Sequence, residues 1–389
     1  MHRLKITIIY ASIFLNSCTS PQAILSDSFE DLVSIVVPEP INAIDAKIID
    51  DLAYIVLEEK ENSFFGHVAK MRVYKDRIYI LDAYFANSLF IYTIDGKHIA
   101  TIGNNKGGGP LDFVKIVNFE IDYVNDLILT VDNFGRKFMI YDIEGKFVKR
   151  IDIRLPIFNA ALLHDGHILH ARAAWEYRRD FRNIHQVFIT DESGQVIKEK
   201  FENAGNRNLK IHVTDIIRSH IDGSFTFAPE FKDTIFCVSF ESIRPKYAID
   251  YGKNRKLSNN TLRNLNDHTE LFNQIYNGFM CFMGIHVENS DFLFFVLGES
   301  DNQIFVFFNK LTHKTISISH KTNRLAGGYV TRNYIPDLYT VLCSDSDGYF
   351  YGAFSNVGVE DLLELFPELI KLEQTRDLNP IIFRYKVKF

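Results

Sequence analysis

An internal repeat dominates this sequence and limits the folds open to it. Residues 77–97 have the order strand, short turn, strand and Gly turn, and residues 127–146 repeat that order. A third, weaker copy ends at a similar Gly turn. The glycines of the three copies, Gly96, Gly145 and Gly194, are each 49 residues apart. A period near fifty, built from short strands and Gly turns, is typical of β-repeats arranged radially around an axis.

The repeat continues along the chain as six units of four antiparallel strands, which we name A to D from the inside outward. Short hairpin signals separate the strands, and we expect a type I′ turn at Asp95-Gly96, because both residues tolerate positive φ. The sixth unit lacks its last strand, which residues 51–58 can supply. The predicted fold class is therefore all-β: a six-bladed β-propeller of four-stranded antiparallel blades, closed by an N-terminal strand that removes open sheet edges.

Composition agrees with this architecture. Apolar residues make up 47% of the 389 residues, and the 34 Phe and 18 Tyr favour strands buried between neighbouring blades. Residues 257–276 and 359–373 have the apolar spacing of helices, so short helical insertions are expected, with Pro367 interrupting the second. The formal charge of −6 argues against nucleic acid as a partner, since nucleic-acid binders usually present a basic face.

The N-terminus has the pattern of a bacterial lipoprotein leader. A basic start precedes an apolar run at residues 6–15, which is too short to cross the ~30 Å hydrocarbon core of a membrane as a helix. The run ends in Leu15-Asn16-Ser17-Cys18, which resembles the lipobox, where the Cys is acylated and becomes the new N-terminus. Two or three acyl chains on Cys18 would anchor the protein stably in a membrane.

This leader divides the chain into three parts. Residues 1–17 are predicted to be the signal peptide, residues 18–30 a tether and residues 31–389 the propeller. The predicted location is the bacterial envelope, with the protein lipid-anchored in the outer membrane. The periplasmic side is favoured over the cell surface, because no acidic cluster follows Cys18.

The remaining cysteines indicate neither a disulfide framework nor a metal site. Cys237, Cys281 and Cys343 are odd in number, widely spaced and surrounded by apolar strand residues. Such cysteines usually pack as small hydrophobic residues. An exported protein of this kind would depend on its hydrophobic core.

The sequence resembles the six-bladed β-propeller lipoproteins of Gram-negative bacteria, which are related to the NHL-repeat propellers. The resemblance covers nearly the whole chain, and it depends on the lipobox together with residues 52–58, 102–113, 233–236, 247–252 and 379–386. It implies a protein of the envelope that acts in binding or scaffolding. The expected partners of such a module are the membrane, through the lipid anchor, and a glycan, a peptide or an envelope protein.

Long insertions are predicted on only one face of the propeller. The B–C and D–A connections share that face, and the insertions fall at residues 104–112, 173–185, 253–277, 322–337 and 356–379. Function concentrates on loops held by a rigid scaffold. The densest group of candidate ligand-binding residues lies in the second insertion and comprises Trp175, Tyr177, Arg178, Arg179 and Arg182. These side chains could stack on a sugar or ring and bind a carboxylate or phosphate; alternatively, Glu176 and Asp180 simply pair with the arginines in a solvated loop.

Other motifs have weaker claims to chemistry. The Gly-rich segment 103–110 lacks the Lys-Ser/Thr and the helix of a phosphate loop, so a repeat connection is the better interpretation. His164, His167 and His170 suggest a metal by spacing, but strand alternation places the last two on opposite faces. Asp82 and Asp132 end equivalent strands, where Asp usually caps the following turn and more rarely binds calcium. We therefore predict no cofactor and no metal site.

Two functions from different classes remain open. The favoured one is a membrane-anchored binding or scaffold module that uses the loop face. The alternative is a metal-dependent hydrolase or lyase with its site at the mouth of the central channel. Such an enzyme needs convergent acidic, Asn or His side chains on inner strands, and the inner strands at residues 159–163, 280–285 and 339–343 are mostly apolar.

Overall fold

The computed structural model describes most of the chain from residue 32 to the C-terminus. The described residues are 32–42, 48–103, 109, 111–153, 157–163, 165–172, 185–202, 216–229, 232–252, 255–299, 302–321, 341–354 and 379–389. The chain begins with three strands, β1 (Val33–Val36), β2 (Ile41–Asn42) and β3 (Ile49–Ile55).

Six antiparallel sheets follow, and each is one blade. Blade 1 contains β4 (Lys70–Tyr74), β5 (Arg77–Asp82), β6 (Ser88–Thr93) and β7 (His98–Ile102). Blade 2 contains β8 (Asn118–Asp122), β9 (Leu127–Asp132), β10 (Lys137–Asp142) and β11 (Phe147–Asp152). Blade 3 contains β12 (Asn159–Leu162), β13 (Ile168–Ala171), β14 (His185–Thr190) and β15 (Val196–Glu202).

The second half of the chain repeats this plan and includes two helices. Blade 4 contains β16 (Ile217–Ser219), β17 (Phe225–Phe227), β18 (Thr234–Val238) and β19 (Ile243–Asp250). The helices α1 (Asn259–Asn264) and α2 (His268–Tyr276) come next. Blade 5 contains β20 (Met280–Glu288), β21 (Phe292–Glu299), β22 (Asn302–Asn309) and β23 (Thr315–Lys321). Blade 6 contains β24 (Cys343–Ser344), β25 (Phe350–Phe354) and β26 (Ile381–Val387), completed by β3.

The ring closes as the sequence predicts. β3 pairs antiparallel with β26 as strand D of blade 6, with Ile55 opposite Ile382 and Ile49 opposite Val387. The closing strand therefore spans residues 49–55, slightly earlier than the predicted 51–58. Its role is the expected one, because it removes the open edge that β26 would otherwise present.

An unpredicted feature is a belt formed by β1 and β2 on the outside of the propeller. β1 pairs parallel with β19 of blade 4, and β2 pairs parallel with β23 of blade 5. Ser317 Oγ also donates to the Pro38 carbonyl at 2.7 Å. The segment before β3 thus runs along the outer strands of blades 4 and 5 before it completes blade 6.

The hydrophobic core is divided among the blade interfaces. Among the described residues, six buried apolar clusters each join two neighbouring blades around the ring. In the cluster between blades 5 and 6, the rings of Phe307 and Phe350 lie 5.8 Å apart, edge to face. The Phe-rich and Tyr-rich strands are therefore buried on both faces, as the composition predicts.

The hairpin turns differ from expectation in one detail. Lys75 and Asp76 have φ of 46° and 55°, so the type I′ conformation occurs there. At Asp95-Gly96 only the glycine has positive φ, and Gly96 N donates to Thr93 O at 2.9 Å, which defines a longer turn with a bulge. A Cβ on Gly96 would lie 2.2 Å from the Val56 carbonyl oxygen, so the close approach of the closing segment also requires glycine.

The predicted helical insertion at residues 257–276 is confirmed by α1 and α2. Ser258 caps α1 by accepting from Thr261 N, and Asp267 caps α2 by accepting from Glu270 N. The apolar residues of this segment pack together with Cys281 of blade 5. The other predicted helical segment, residues 359–373, lies outside the described residues.

Candidate functional site

The propeller has two distinct faces, which we call the loop face and the turn face. The B–C turns and D–A connections lie on the loop face, and the A–B and C–D turns lie on the turn face. The insertion that contains α1 and α2 joins β19 to β20 and is therefore a D–A connection, on the predicted side. The predicted lipidation site Cys18 and the predicted binding residues lie outside the described residues, the latter being Trp175, Tyr177, Arg178, Arg179 and Arg182.

A buried aspartate holds the loop-face turn of blade 1. Asp82 Oδ1 accepts from the backbone N–H groups of Tyr84 and Phe85, at 2.9 and 2.8 Å. Its other oxygen accepts from Gly66 N at 3.0 Å and His67 N at 3.3 Å, in the connection that enters the blade. One carboxylate thus fixes a B–C turn and a D–A connection together.

Asp132 does the same in blade 2. Its side chain accepts from Gly135 N in the B–C turn at 2.7 Å, and from Val114 N at 2.9 Å and Lys115 N at 3.2 Å in the preceding connection. The prediction that these repeated aspartates cap turns is confirmed. In both residues the carboxylate oxygens accept hydrogen bonds from backbone N–H groups. This is how an aspartate caps a turn, whereas a calcium ligand directs its oxygens at the cation.

The two capped turns display exposed aromatic rings. Tyr84, Phe85, Val114 and Phe134 form what we call the aromatic patch, and each is more than half exposed. Phe64 and Leu111, in the connections that enter blades 1 and 2, are further exposed large hydrophobic residues on this side. On the turn face, residues of this kind are spread over several blades.

The aromatic patch is continuous across the two blades. Asn87 Nδ2 of blade 1 donates to the Val114 carbonyl at 3.3 Å, and Val114 is bonded in turn to Asp132 of blade 2. The Lys115 ammonium lies 5.7 Å from the centre of the Tyr84 ring. Arg136, beside Phe134, is exposed. The patch therefore combines apolar rings with cationic groups on a rigid support.

The inner strands of the propeller carry a buried ion cluster. Arg72 of β4 makes a bidentate pair with Glu120 of β8, with both N–O distances 2.9 Å, and Lys70 Nζ lies 2.7 Å from the same carboxylate. Ser219 Oγ of β16 donates to Glu120 at 2.7 Å. All four side chains are buried. Blades 1, 2 and 4 are thus linked by polar contacts across the channel.

Sequence reasoning missed this cluster, because it considered the apolar inner strands of blades 3, 5 and 6. The available signal was alternation: Lys70 and Arg72 flank Met71, and Asn118 and Glu120 flank Phe119. Period-two polarity normally indicates a solvent-facing side of a strand. In an innermost strand the polar side faces the channel instead.

A second buried cluster lies between blades 4 and 5 towards the turn face. Glu288 accepts from Tyr247 Oη at 2.7 Å and pairs with Lys246 at 3.0 Å and Lys310 at 2.9 Å. Burial alone would raise the pKa of the Glu288 carboxyl, but the two lysines and nearby His220 outweigh it and lower that pKa to about 2. The charged carboxylate therefore fastens the outer strand of blade 4 to the inner strand of blade 5.

A His–Thr–His chain lies beside this cluster. Thr226 Oγ1 is 2.8 Å from His220 Nε2 and 2.7 Å from His286 Nε2. Burial lowers the pKa of His220 to about 4, so its imidazole is neutral at neutral pH. The Thr226 hydroxyl can donate to one of these two ring nitrogens and accept from the other, which gives each Nε2 a hydrogen-bond partner.

The histidines that suggested a metal by spacing do not converge where the structure describes them. His170 stacks on Phe188 with ring centres 4.7 Å apart, is 2.7 Å from Thr190 Oγ1, and has its pKa lowered by burial to about 3. His167 instead pairs with Asp165 at 2.8 Å, and His164 lies outside the described residues. Within the described ranges, no group of three or more His, Cys, Asp or Glu side chains is placed to hold a metal ion.

The cysteines behave as the sequence indicates. Cys237, Cys281 and Cys343 are all free thiols. Burial raises the pKa of the Cys281 thiol to about 12, so it is not a nucleophile at neutral pH.

Fold and surface together define a six-bladed β-propeller with a polar inner wall and an exposed patch on its loop face. The chain belongs to the DUF4934 family, a domain of unknown function whose model matches residues 34–386. No curated protein matches the sequence. In the part of the chain that the structure describes, no helix combines the length and apolarity needed to cross a membrane.

Two solved structures have similar folds. A Bacteroides fragilis protein named as exported is 16% identical and has a TM-score of 0.70, over 92% of this chain and all of its own. A DUF4221 family member from Bacteroides vulgatus is 12% identical with a TM-score of 0.52, over 88% of this chain and 98% of its own. At these identities the similarity concerns the fold.

Proposed function

We propose that this protein is an exported, lipid-anchored binding or scaffold module that engages its partner through the loop face. The observation that carries the proposal is the aromatic patch. Its rings stand on turns fixed by Asp82 and Asp132, so little conformational entropy is lost when a ligand covers them. Exposed apolar patches rimmed by polar groups are typical of interaction sites, and aromatic residues supply much of their binding energy.

The chemistry of the patch fits a glycan, a peptide or an envelope protein. Its rings can stack on sugar or side-chain faces, and Lys115 and Arg136 can bind carboxylates or other anionic groups. The residues predicted from sequence belong to the B–C connection of blade 3, between β13 and β14. We include them in the proposed surface: Trp175, Tyr177, Arg178, Arg179 and Arg182.

Paired substitutions on the two faces test the binding role. Val114 on the loop face is 58% exposed and Val124 on the turn face is 55% exposed, so Val114→Ser and Val124→Ser are matched changes. We expect Phe134→Ser and Val114→Ser to reduce capture of a glycan or envelope partner at least tenfold, whereas Val124→Ser leaves capture unchanged. Glycan arrays and crosslinking in intact envelopes provide the two readouts. Equal capture by all variants would contradict a loop-face site.

The anchor is a separate part of the proposal and has its own test. Cys18→Ser removes the thiol that acylation requires, so we expect loss of fatty-acid labelling and release of the protein from the membrane fraction. Protease treatment of intact cells distinguishes the leaflets, and protection is expected for the periplasmic side. A Cys18→Ser variant that stays in the membrane fraction would contradict the lipid anchor but not the binding surface.

A further inference from the structure

Three inner-strand residues form a directed hydrogen-bond relay at the loop-face end of the channel. Lys70, Asn118 and Asn159 are the first residues of β4, β8 and β12, the inner strands of blades 1, 2 and 3. Each is at least nine-tenths buried. Lys70 Nζ donates to Asn118 Oδ1 at 2.9 Å, and Asn118 Nδ2 donates to Asn159 Oδ1 at 3.0 Å. We call these three residues the channel-mouth relay.

The direction of the relay is fixed by the chemistry of its first member. An ammonium group can only donate, so the side-chain oxygen of Asn118 must face Lys70. Phe119 N donates to the same oxygen at 2.8 Å. The Asn118 amide nitrogen must then face Asn159, which turns the Asn159 oxygen towards Asn118. A flipped Asn159 would place two donors against each other.

The relay therefore ends in a donor. Asn159 Nδ2 is buried and has no hydrogen-bond acceptor among the residues that the structure describes. Leaving a buried amide donor unsatisfied is destabilising, and native proteins rarely tolerate this without a ligand or ordered water. The group that completes the relay must accept hydrogen bonds.

The surrounding charge favours an anionic acceptor. Lys70 begins the relay, and together with Arg72 it places two cations against the single carboxylate of Glu120. Glu120 is already engaged by both cations and by Ser219, so it is not the partner that Asn159 requires. A carboxylate at Asn159 would accept from the amide and gain from the nearby positive charge.

We propose that the channel mouth is a binding site for a carboxylate-bearing ligand, held by the amide of Asn159 at the end of the channel-mouth relay. This site is separate from the aromatic patch and does not depend on the partner that the patch engages. It would give the propeller a second specificity element, which recognises an acidic small molecule or a carboxylate group of a larger ligand at the axis of the ring.

Acetate is the probe, and two isosteric substitutions provide the comparison. Asn159→Asp keeps the shape and the oxygen that faces Asn118 but removes the donor and adds a negative charge. Asn133→Asp is the matched control, because it adds the same charge in a buried loop-face position. Asn133 Oδ1 accepts from Ile157 N at 2.8 Å, and an aspartate oxygen can make the same bond. Titration calorimetry at constant ionic strength measures acetate affinity in the full-length protein and both variants.

We expect acetate to bind the wild type and the Asn133→Asp variant, and to bind Asn159→Asp at least tenfold more weakly. Methylammonium, a cation of similar size, should bind none of them. Phe134→Ser in the aromatic patch should leave acetate affinity unchanged, which separates this site from the proposed binding surface. In crystals soaked with acetate, we expect a carboxylate oxygen within hydrogen-bonding distance of Asn159 Nδ2.

Two results would overturn the proposal. Equal acetate affinity in Asn159→Asp and Asn133→Asp would show that the donor is not used. Soaked wild-type crystals with only an ordered water on Asn159 would show that solvent completes the relay. The crystal experiment needs no variant, so it decides the question even if Asn159→Asp fails to fold.

Discussion

The residue that best explains the loop face is the aspartate at the end of strand B. Asp82 and Asp132 are both fully buried, and each accepts from a B–C turn and from the connection that enters the blade. A carboxylate can accept several N–H groups at once, which a neutral side chain of similar size cannot match. The same residue type at the same position of two blades thus supports the exposed rings beside it.

Substituting Asp132 should destabilise the protein more than substituting an aspartate in a turn-face hairpin. Asp132→Ala leaves the N–H groups of Val114, Lys115 and Gly135 without their acceptor, and we expect a loss of about 3 kcal/mol in the free energy of unfolding. Asp142→Ala removes the cap of a partly exposed C–D turn and should cost about 1 kcal/mol. Urea unfolding measures both, and equal losses would contradict the bridging role.

The ion cluster of the channel gives a second prediction at this scale. Glu120→Gln keeps the shape but removes the carboxylate that pairs with the buried Lys70 and Arg72, so we expect a loss of about 3–5 kcal/mol in the free energy of unfolding, measured in urea. Asp95→Asn removes an exposed partner of Lys97 and should have no measurable effect. Similar stability of the two variants would mean that water or another group solvates the channel cations.

How far these residues could be predicted depends on whether their partners are local. Asp82 and Asp132 could be identified as caps because the nearest N–H groups that donate to them lie within three residues in the sequence. The Lys70 and Arg72 partner, Glu120, is about fifty residues away, and Ser219 is farther still. Strand alternation marks such residues as polar, but only the ring geometry reveals that they face a channel and meet one another.

At the scale of strands, local signals again separate what was predictable from what was not. The hairpin strands of blades 1 and 2 are bounded by Gly and Asp turns and were placed correctly. β1 has four residues and β2 two, and their partners β19 and β23 are more than two hundred residues away. Parallel pairing over such separations leaves no sequence period to detect.

The contact between β19 and β20 predicts a pH dependence of stability. The pKa of Glu288 is about 2 in the folded protein, below its unfolded value, so its contribution is present above about pH 4.5 and is lost as pH falls towards 2. The shift corresponds to about 3 kcal/mol. We expect Glu288→Gln to lower stability at neutral pH and to flatten the decline between pH 4.5 and 2.

Urea unfolding across that pH range measures the effect. Glu241→Gln is the control, because Glu241 forms an exposed ion pair with Lys198 and its substitution should preserve the wild-type slope. If the stability of Glu288→Gln fell between pH 4.5 and 2 as steeply as that of the wild type, the lysines of this cluster would not be keeping Glu288 charged in acid.

At the scale of the whole molecule, the ring is stabilised by apolar clusters at every blade interface, and two of them include the closing segment. Ile55 and Leu57 pack between blades 6 and 1, and Leu52 and Tyr54 pack against the cluster between blades 5 and 6. Closure therefore buries apolar surface in addition to satisfying the backbone of β26. The belt of β1 and β2 adds six paired positions on the outside, and Ile35 of β1 is fully buried in the cluster between blades 4 and 5.

Two truncations separate closure from the belt. A chain that begins at residue 43 loses β1, β2 and the buried Ile35 but keeps β3, so we expect a monomer with a lower melting temperature. A chain that begins at residue 57 also loses β3, which exposes the edge of β26 and opens both adjacent clusters, so we expect association through that edge and loss of a cooperative transition. Size-exclusion chromatography and thermal unfolding distinguish the two, and a synthetic peptide of residues 48–58 should restore the monomer. If the shorter chain stays monomeric with an unchanged melting temperature, β3 does not close the ring in the way that its pairing with β26 requires.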